Sequence, residues 1–272
     1  MNNSGFQYIQ SFIKNHTAIV LDAGKDYLVE SRLFPIAKEY GLPSVDSLVE
    51  IFKEKPTEAL KLKIIDAMTT NETLFFRDIH PFDLLKQKII PELINKRAHQ
   101  RTLSIWCAAS SSGQEPYTVA MILKELGAVL HGWSIDFMAS DISEKILAKA
   151  REGLYSQLEV NRGLPMSYLL KYFDKEGAGW RIKKELRDMV CYRKINIINS
   201  WPLSNVDIVF MRNVLIYFDL DTKKEILNRL STTLARDGYL FLGGSETVLG
   251  VSNSFERANI NCERVSCYQL KE

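Results

Sequence analysis

Residues 101–126 read RTLSIWCAASSSGQEPYTVAMILKEL. Positions 103–108 form an apolar run of strand length. Positions 109–114 are small and polar, with one glycine. From Glu115 onward, Val119, Ile122, Leu123 and Leu126 recur at helical spacing. Strand, small-residue turn and helix predict the first unit of a βαβ fold. Such a turn brings backbone N–H groups and a helix N-terminus to a sheet edge, where nucleotide-like ligands bind. G-x-G-x-x-G is absent and Gly113 stands alone, so the stretch is no dinucleotide fingerprint. An ordinary α/β turn is equally compatible with it.

Downstream, strand and helix patterns alternate. Strands are predicted over 133–140, 206–211 and 239–243, and helices over 143–152 and 222–235. Asp237-Gly238 predicts the turn before the 239–243 strand. This alternation implies a parallel sheet with helices on both faces. Two short candidates, 255–260 and 265–270, suit a closing antiparallel hairpin at the sheet edge. One segment breaks the rhythm. A helix over 165–173, a Gly-rich loop at 177–179 and strand-like runs over 180–186 and 189–195 predict a small hairpin inserted between βα units, turning at Arg187-Asp188. Such insertions usually belong to partner or substrate recognition.

Upstream, residues 1–70 predict four short helices forming a small bundle. Phe6, Ile9, Phe12 and Ile13 share a face in the first. The second, over 27–40, carries Tyr27, Leu28, Leu33, Ile36 and Ala37 inward and ends at Gly41. The third starts at Ser44 and buries Val45, Leu48, Val49 and Phe52. Pro56 is expected to open the fourth, with Ala59, Leu60, Ile64 and Met68 in register. Residues 71–101 form a bridge, in which NETLFFRD precedes two helical pieces, 80–88 and 91–98, the second opened by Pro91.

Among 272 residues, 46% are hydrophobic and 25% charged, with a formal net charge of +2. This is the balance of a soluble globular protein and proposes no polyanion partner, so no nucleic acid is expected. Cys107, Cys191, Cys262 and Cys267 form no C-x-x-C pair and there are four His. Zinc and a disulfide framework are therefore not expected, and the cysteines read as small hydrophobes in a reducing compartment. The N-terminus lacks a signal-peptide pattern and no apolar run approaches the roughly 20 residues of a membrane span. A cytoplasmic protein without membrane insertion is expected.

Four stretches carry candidate chemistry. Asp141 ends a strand and opens a helix, which suits ribose hydroxyls. With Glu144 it also has the spacing of a capping box. Glu115 at a helix start is favoured by the helix dipole, or faces a cationic or hydroxyl-bearing ligand. Arg212 and Asn213 leave the apolar run of 206–211 where a sheet presents its ligand crevice. Tyr217 and Phe218 could wall a pocket or belong to the core. The segment 71–78, NETLFFRD, reads either as a ligand-contacting bridge or as a cap with a hydrophobic plug.

Taken together, NETLFFRD, WCAASSSGQEPYTVAM, ASDIS and FMRNVLIYF, in this order and spacing, resemble the chemotaxis receptor glutamate O-methyltransferases of the CheR family. The resemblance covers essentially the whole chain. It implies an α/β class I methyltransferase, with a Rossmann-like seven-stranded sheet, an N-terminal helical domain and a small inserted β-subdomain. The implied division is 1–70 for the helical domain, 71–101 for a cofactor-contacting linker, and 102–272 for the methyltransferase domain, with the insertion at about 177–195.

The implied cofactor is S-adenosylmethionine, leaving as S-adenosylhomocysteine. Its contacts would fall on Asn71, Thr73, Arg77, Glu115, Asp141, Asn196, Ile197, Arg212 and Asn213, with Arg77 and Tyr217 nearest the chemistry and no metal. The implied partner is the cytoplasmic helical region of chemoreceptors, and Lys25, Arg32 and Lys38 either steer it or form a solvated helix face. A monomer is expected. The short EGAGW loop argues against docking on a receptor's pentapeptide tether. Two readings stay open beside the enzyme: a non-catalytic cofactor-binding scaffold or sensor, and a methyltransferase of a small-molecule carboxylate.

Overall fold

The computed structural model describes residues 1–260 and 264–271. Two compact units emerge. The first comprises Met1–Asn71 with Tyr217–Thr222, the second Glu72–Ile216 with Lys223–Glu272.

The first unit contains α1 (Asn3–Thr17), α2 (Asp26–Glu39), α3 (Val45–Glu54) and α4 (Glu58–Met68). Three of these begin at polar caps. Asn2, Ser44 and Thr57 accept from the backbone N–H of Gly5, Ser47 and Leu60 at 2.7, 3.1 and 3.3 Å. The core joins Ile9 and Ile13 to Val29, Leu33, Leu48, Phe52 and Ile64, all buried, with Phe12 edge-on to Phe52 at 4.8 Å.

Three details depart from expectation here. Tyr27 is exposed and Val29 takes the inward position, because the buried stripe is Val29-Leu33-Ile36-Ala37 at true i, i+4, i+7, i+8 spacing. Pro56 lies outside α4, whose cap is Thr57. Arg32 does not point outward to meet a partner. Its guanidinium donates to the Met68 carbonyl at 2.8 Å and to Thr70 Oγ1 at 3.0 Å, satisfying the C-terminal end of α4.

The second unit opens with α5 (His80–Leu84), a π-helical stretch (Leu85–Ile89) and α6 (Ile90–Lys96). The two separate pieces predicted here are one continuous helical run. Pro91 has no N–H for a carbonyl four residues back, and the wide turn absorbs the mismatch, with the Ile90 N–H reaching the Leu85 carbonyl. There follow β1 (Thr102–Ala108), α7 (Gln114–Glu125), β2 (Ser134–Asp141), α8 (Glu144–Glu152), β3 (Leu154–Ser156), α9 (Gln157–Asn161) and α10 (Met166–Tyr172). Next come β4 (Phe173–Glu176), β5 (Gly179–Ile182), α11 (Lys184–Arg187), β6 (Cys191–Lys194) and β7 (Val206–Phe210). A 3-10 turn (Leu215–Tyr217), α12 (Leu220–Thr233), β8 (Leu234–Phe241), β9 (Phe255–Arg257) and β10 (Cys267–Leu270) complete the chain.

The main sheet has seven strands in the order β6-β2-β1-β7-β8-β10-β9. β6, β2, β1, β7 and β8 are parallel, and β10 runs antiparallel to both β8 and β9. This is the class I methyltransferase sheet, with its closing antiparallel strand formed by the predicted terminal hairpin. β7, VDIVF, is buried at every position, as a central parallel strand covered on both faces must be. Strand order reverses at β1, whose neighbours are β2 and β7, so a crevice opens at the carboxyl ends of these three strands.

Three predictions in this unit are corrected. The inserted β-structure does not occupy 177–195. The small antiparallel sheet is β3-β5-β4, turning at Gly177, and β6 belongs to the main sheet, pairing in parallel with β2. Arg187-Asp188 ends the short α11 instead of turning a hairpin. Asp237-Gly238 lies inside β8 as a bulge: Val206 pairs with Leu234, but Ile208 already pairs with Tyr239. A side chain at Gly238 would meet the Asp207 carbonyl at 2.9 Å. Asp237 and Asp207 share Arg97, which pins this end of the sheet.

Cys107 and Cys267 are buried and Cys191 is exposed; Cys262 lies outside the described residues. Among the described residues no cluster of metal-ligating side chains occurs, and no helix is long and apolar enough to cross a membrane.

Candidate active site

The turn after β1 is built from small residues because its backbone demands them. Ala109, Ser111 and Gly113 all have positive φ, at 52°, 51° and 94°. The Ser110 N–H donates to the Ser140 carbonyl of β2 at 2.8 Å, and Gly113 returns to the Ser110 carbonyl at 3.1 Å. Gly113 tolerates no side chain. A Cβ there would lie 2.8 Å from the Tyr192 hydroxyl and 3.1 Å from that of Tyr155. These two rings pack with Tyr117 beneath the turn, and Tyr155 donates to the Ser112 carbonyl at 2.8 Å.

Asp141 closes β2 beside this turn, and its carboxylate is buried. One oxygen accepts from the Ser111 N–H at 2.9 Å and the other from the Ser143 N–H at 3.1 Å. The cap of α8 is Ser143, which accepts from Ile146 at 3.2 Å. The capping-box reading of Asp141 with Glu144 therefore does not hold. Asp141 instead locks the β1 turn to the end of β2. Asn196 and Ile197 follow β6 directly alongside, where the Ile195 N–H donates to the Asp141 carbonyl at 3.0 Å. The Ile197 carbonyl accepts from the Trp201 indole and from Arg229.

The second half of the site is a charge network. Arg212, only 1% exposed at its side chain, leaves the end of β7. It donates to Glu115 at 2.7 Å, to Asp78 at 2.6 Å and to the Arg77 carbonyl at 3.0 Å, and its guanidinium lies over the Phe82 ring at 5.5 Å. Burial raises the Glu115 carboxyl above the usual carboxylate range, opposed by Arg212 and, more weakly, by Arg77. The segment that Arg212 grips is strained: Phe76, Asp78 and Ile79 have φ of 49°, 68° and 50°. Backbone in this region costs about 1–3 kcal/mol per residue and persists only where its surroundings impose it. Arg77 itself is half-buried and donates to the Glu72 carbonyl at 3.3 Å. Thr73 is half-buried on the same segment.

The third element was not legible in the sequence. Glu246, on the loop after β8, is 6% exposed. Its carboxylate accepts four backbone N–H groups: Gly243 at 2.6 Å, Asn213 at 2.7 Å, Val214 at 2.9 Å and Ile216 at 3.3 Å. The only local signal is a Gly-Gly-Ser-Glu run leaving a strand, which reads as an ordinary loop.

Arg77, Glu115 and Arg212 are thus brought into one network, and Asp141, Asn196 and Ile197 into a second cluster at the neighbouring strand ends. Asn213 joins through its backbone. Asn71 and Tyr217 belong to the first unit. There Asn71 Nδ2 donates to Thr69 Oγ1 at 3.3 Å, and the Tyr217 carbonyl accepts from the Val20 N–H at 2.9 Å.

The donor set suits a sulfonium nucleoside cofactor. A fixed carboxylate at the end of the second strand matches vicinal ribose hydroxyls. Ser110 Oγ and Arg212 Nε are buried polar atoms without a hydrogen-bond partner, the mark of a place that receives a polar ligand. The turn lacks the glycine arrangement required for a pyrophosphate.

Comparison with known proteins agrees. Residues 71–263 match the family model described as "CheR methyltransferase, SAM binding domain", and residues 4–69 match "CheR methyltransferase, all-alpha domain". The chain is 41% identical over 276 residues to Chemotaxis protein methyltransferase Cher2 of Pseudomonas putida, covering 99% of this chain and 98% of that protein. It is 40% identical to Chemotaxis protein methyltransferase 1 of Pseudomonas aeruginosa, with the same coverage. To the Chemotaxis protein methyltransferase of Escherichia coli it is 32% identical, over 94% of this chain and 88% of that one. Matched along nearly its whole length, the chain belongs to the CheR methyltransferase family and is an S-adenosylmethionine-dependent methyltransferase.

Proposed function

We propose that this enzyme esterifies glutamate side chains in the cytoplasmic helical region of chemoreceptors, and that the clusters around Asp141 and Arg212 form its cofactor site. The observation that carries this reading is the buried Glu115–Arg212 pair, which joins the start of α7 to the end of β7 and grips the Arg77 carbonyl and Asp78 in the strained 76–79 segment. In a chain of this family, that network assembles three of the four diagnostic motifs around one crevice.

S-adenosylmethionine held there would supply an electrophilic methyl group to the acceptor oxygen, with the electron pair of the broken C–S bond kept on the sulfur of S-adenosylhomocysteine. A glutamate carboxylate, with an unperturbed pKa near about 4.3, is already ionised at neutral pH. No general base is required, which fits a site without histidine. The protein's task is positioning, for which roughly 7–11 kcal/mol is available in principle.

Asp141 holds the ribose, with Asn196 and Ile197 beside it. Glu115, Thr73 and Asn213 line the cofactor. Arg77 orients a carboxylate by its charge, and Arg212 keeps the 76–79 backbone in place. Lys38 remains exposed on α2 and suits an acidic helical receptor surface; Lys25, at the N-cap of α2, is half-buried and paired with Asp22 at 2.5 Å, and Arg32 is committed to the end of α4. The tight Gly177 turn between β4 and β5 offers a short rim, in keeping with an enzyme that does not use a receptor tether. We place the protein in the cytoplasm as a monomer acting without nucleic acid.

The test is incubation with methyl-labelled cofactor and chemoreceptor cytoplasmic fragments. Base-labile methyl ester is expected. Arg77→Ala is expected to abolish the label while near-UV circular dichroism stays native. Normal turnover in that variant would remove Arg77 from the mechanism.

A further inference from the structure

Residues 213 and 214 link the end of β7 to the 3-10 turn at Leu215–Tyr217 and belong to no helix or strand. Asn213 sits at φ 58°. Glu246 collects three N–H groups of this stretch, from Asn213, Val214 and Ile216, and adds Gly243 from the end of β8. No cation lies within ion-pair distance of Glu246 among the described residues. A buried carboxylate in that position is tolerable only because its hydrogen bonds are supplied by backbone. The neighbouring glycine is part of the same device. A Cβ at Gly243 would stand 2.8 Å from Glu246 Oε2 and 2.7 Å from Asn213 Nδ2.

We infer that Glu246 is a positioning residue for methyl transfer, its carboxylate setting the backbone of residues 213–216 and tying the carboxyl end of β7 to that of β8. Arg212 holds one wall of the crevice through residues 77–78. Glu246 holds the 213–216 segment by the opposite means, an anion gripping N–H groups instead of a cation gripping acceptor oxygens. The inference rests on the proposed placement of Arg212 and Asn213 at the cofactor.

The geometry distinguishes charge from shape. Oε2 faces two donors, Asn213 and Gly243, and Oε1 faces two others, Val214 and Ile216. Glutamine has the same volume but one acceptor oxygen. Whichever way its amide turns, an NH2 group confronts two N–H donors. Glu246→Gln should therefore disturb the segment almost as much as truncation.

The experiment compares wild type, Glu246→Gln and Gly243→Ala at 10 °C. It measures kcat and KM for a chemoreceptor cytoplasmic fragment with saturating labelled cofactor, S-adenosylhomocysteine affinity by calorimetry, and cooperative melting. A folded Glu246→Gln is expected to lose about 100-fold in kcat, the scale of an ångström misplacement. Its KM for the fragment should change less than threefold, and product affinity should weaken at least tenfold. Gly243→Ala should show the same split. A folded Glu246→Gln with kcat and product affinity within threefold of wild type would overturn the inference, as would failure of both variants to fold, which makes the carboxylate a structural residue. If wild type itself forms no ester on the fragment, the proposed substrate is wrong, and the product-affinity comparison still decides the role of Glu246.

Discussion

Arg212 offers the most direct test of how the site is held. Replacing it with methionine keeps the stem and removes three hydrogen bonds, to Glu115, Asp78 and the Arg77 carbonyl. The two acidic partners are not equivalent. Asp78 is 52% exposed, and an ion pair there is worth about 0–1 kcal/mol. Glu115 is 12% exposed, with its carboxyl already raised by burial. Removing one partner of such a buried pair costs about 3–5 kcal/mol. We therefore expect Arg212→Met to lower the unfolding free energy of the second unit by about 3–5 kcal/mol at pH 8.

The pH signature follows. Without Arg212 the Glu115 carboxyl rises further, and below its new value each pH unit returns about 1.4 kcal/mol as a proton neutralises the stranded charge. Adding Glu115→Gln should recover at least about 1.5 kcal/mol at pH 8, because the pair is coupled and the double variant buries no charge. Urea unfolding followed by tryptophan fluorescence reports this unit alone, since Trp106, Trp133, Trp180 and Trp201 all lie in it. A loss under about 1 kcal/mol for Arg212→Met, or a double variant no more stable than the single one, would refute the reasoning.

Three further outcomes are expected. Gly113→Ala should cost about 2–5 kcal/mol, combining about 1–2 for an L-residue at φ 94° with about 1–3 for overpacking against Tyr192 and Tyr155; a urea midpoint indistinguishable from wild type would contradict this. Asp141→Ala should weaken S-adenosylhomocysteine binding at least tenfold by calorimetry, and unchanged affinity would leave Asp141 only a bracket between the Ser111 and Ser143 backbones. Burial raises the Glu115 carboxyl above its ordinary 4.5, so just above that pH the native state binds more protons than the unfolded chain, and this group's contribution to stability falls as pH rises through the window. Glu115→Gln should remove that component of the slope between pH 4 and 7, and equal slopes in the two proteins would show that Glu115 is not the group responsible.

Much of this molecule was decided along the chain. Period-3.6 stripes set α1, α3 and α4, and apolar runs set β1, β2 and β7, because burial of one face or both leaves a local pattern. The small residues at 109–113 announced a turn that larger side chains could not make. Asp141, Arg212 and Asn213 were visible because they stand where strands end, and Glu115 because it opens a helix, positions that sequence order alone reveals. Four motifs in register then named the family.

Other features depend on what meets across the fold. CYRK at 191–194 has the look of a hairpin strand, and only pairing with β2 assigns it to the main sheet. Asp237-Gly238 has turn chemistry but becomes a bulge, because β8 must stay in register with β7 on both sides of it. Arg32 resembles a solvated basic residue until the end of α4 arrives beneath it. Glu246 is the clearest case. Its four donors come from residues 3 to 33 positions away along the chain. No periodicity encodes such a meeting, since a carboxylate's role depends on which backbone groups the fold leaves without partners, and that is known only once the strands have been laid side by side.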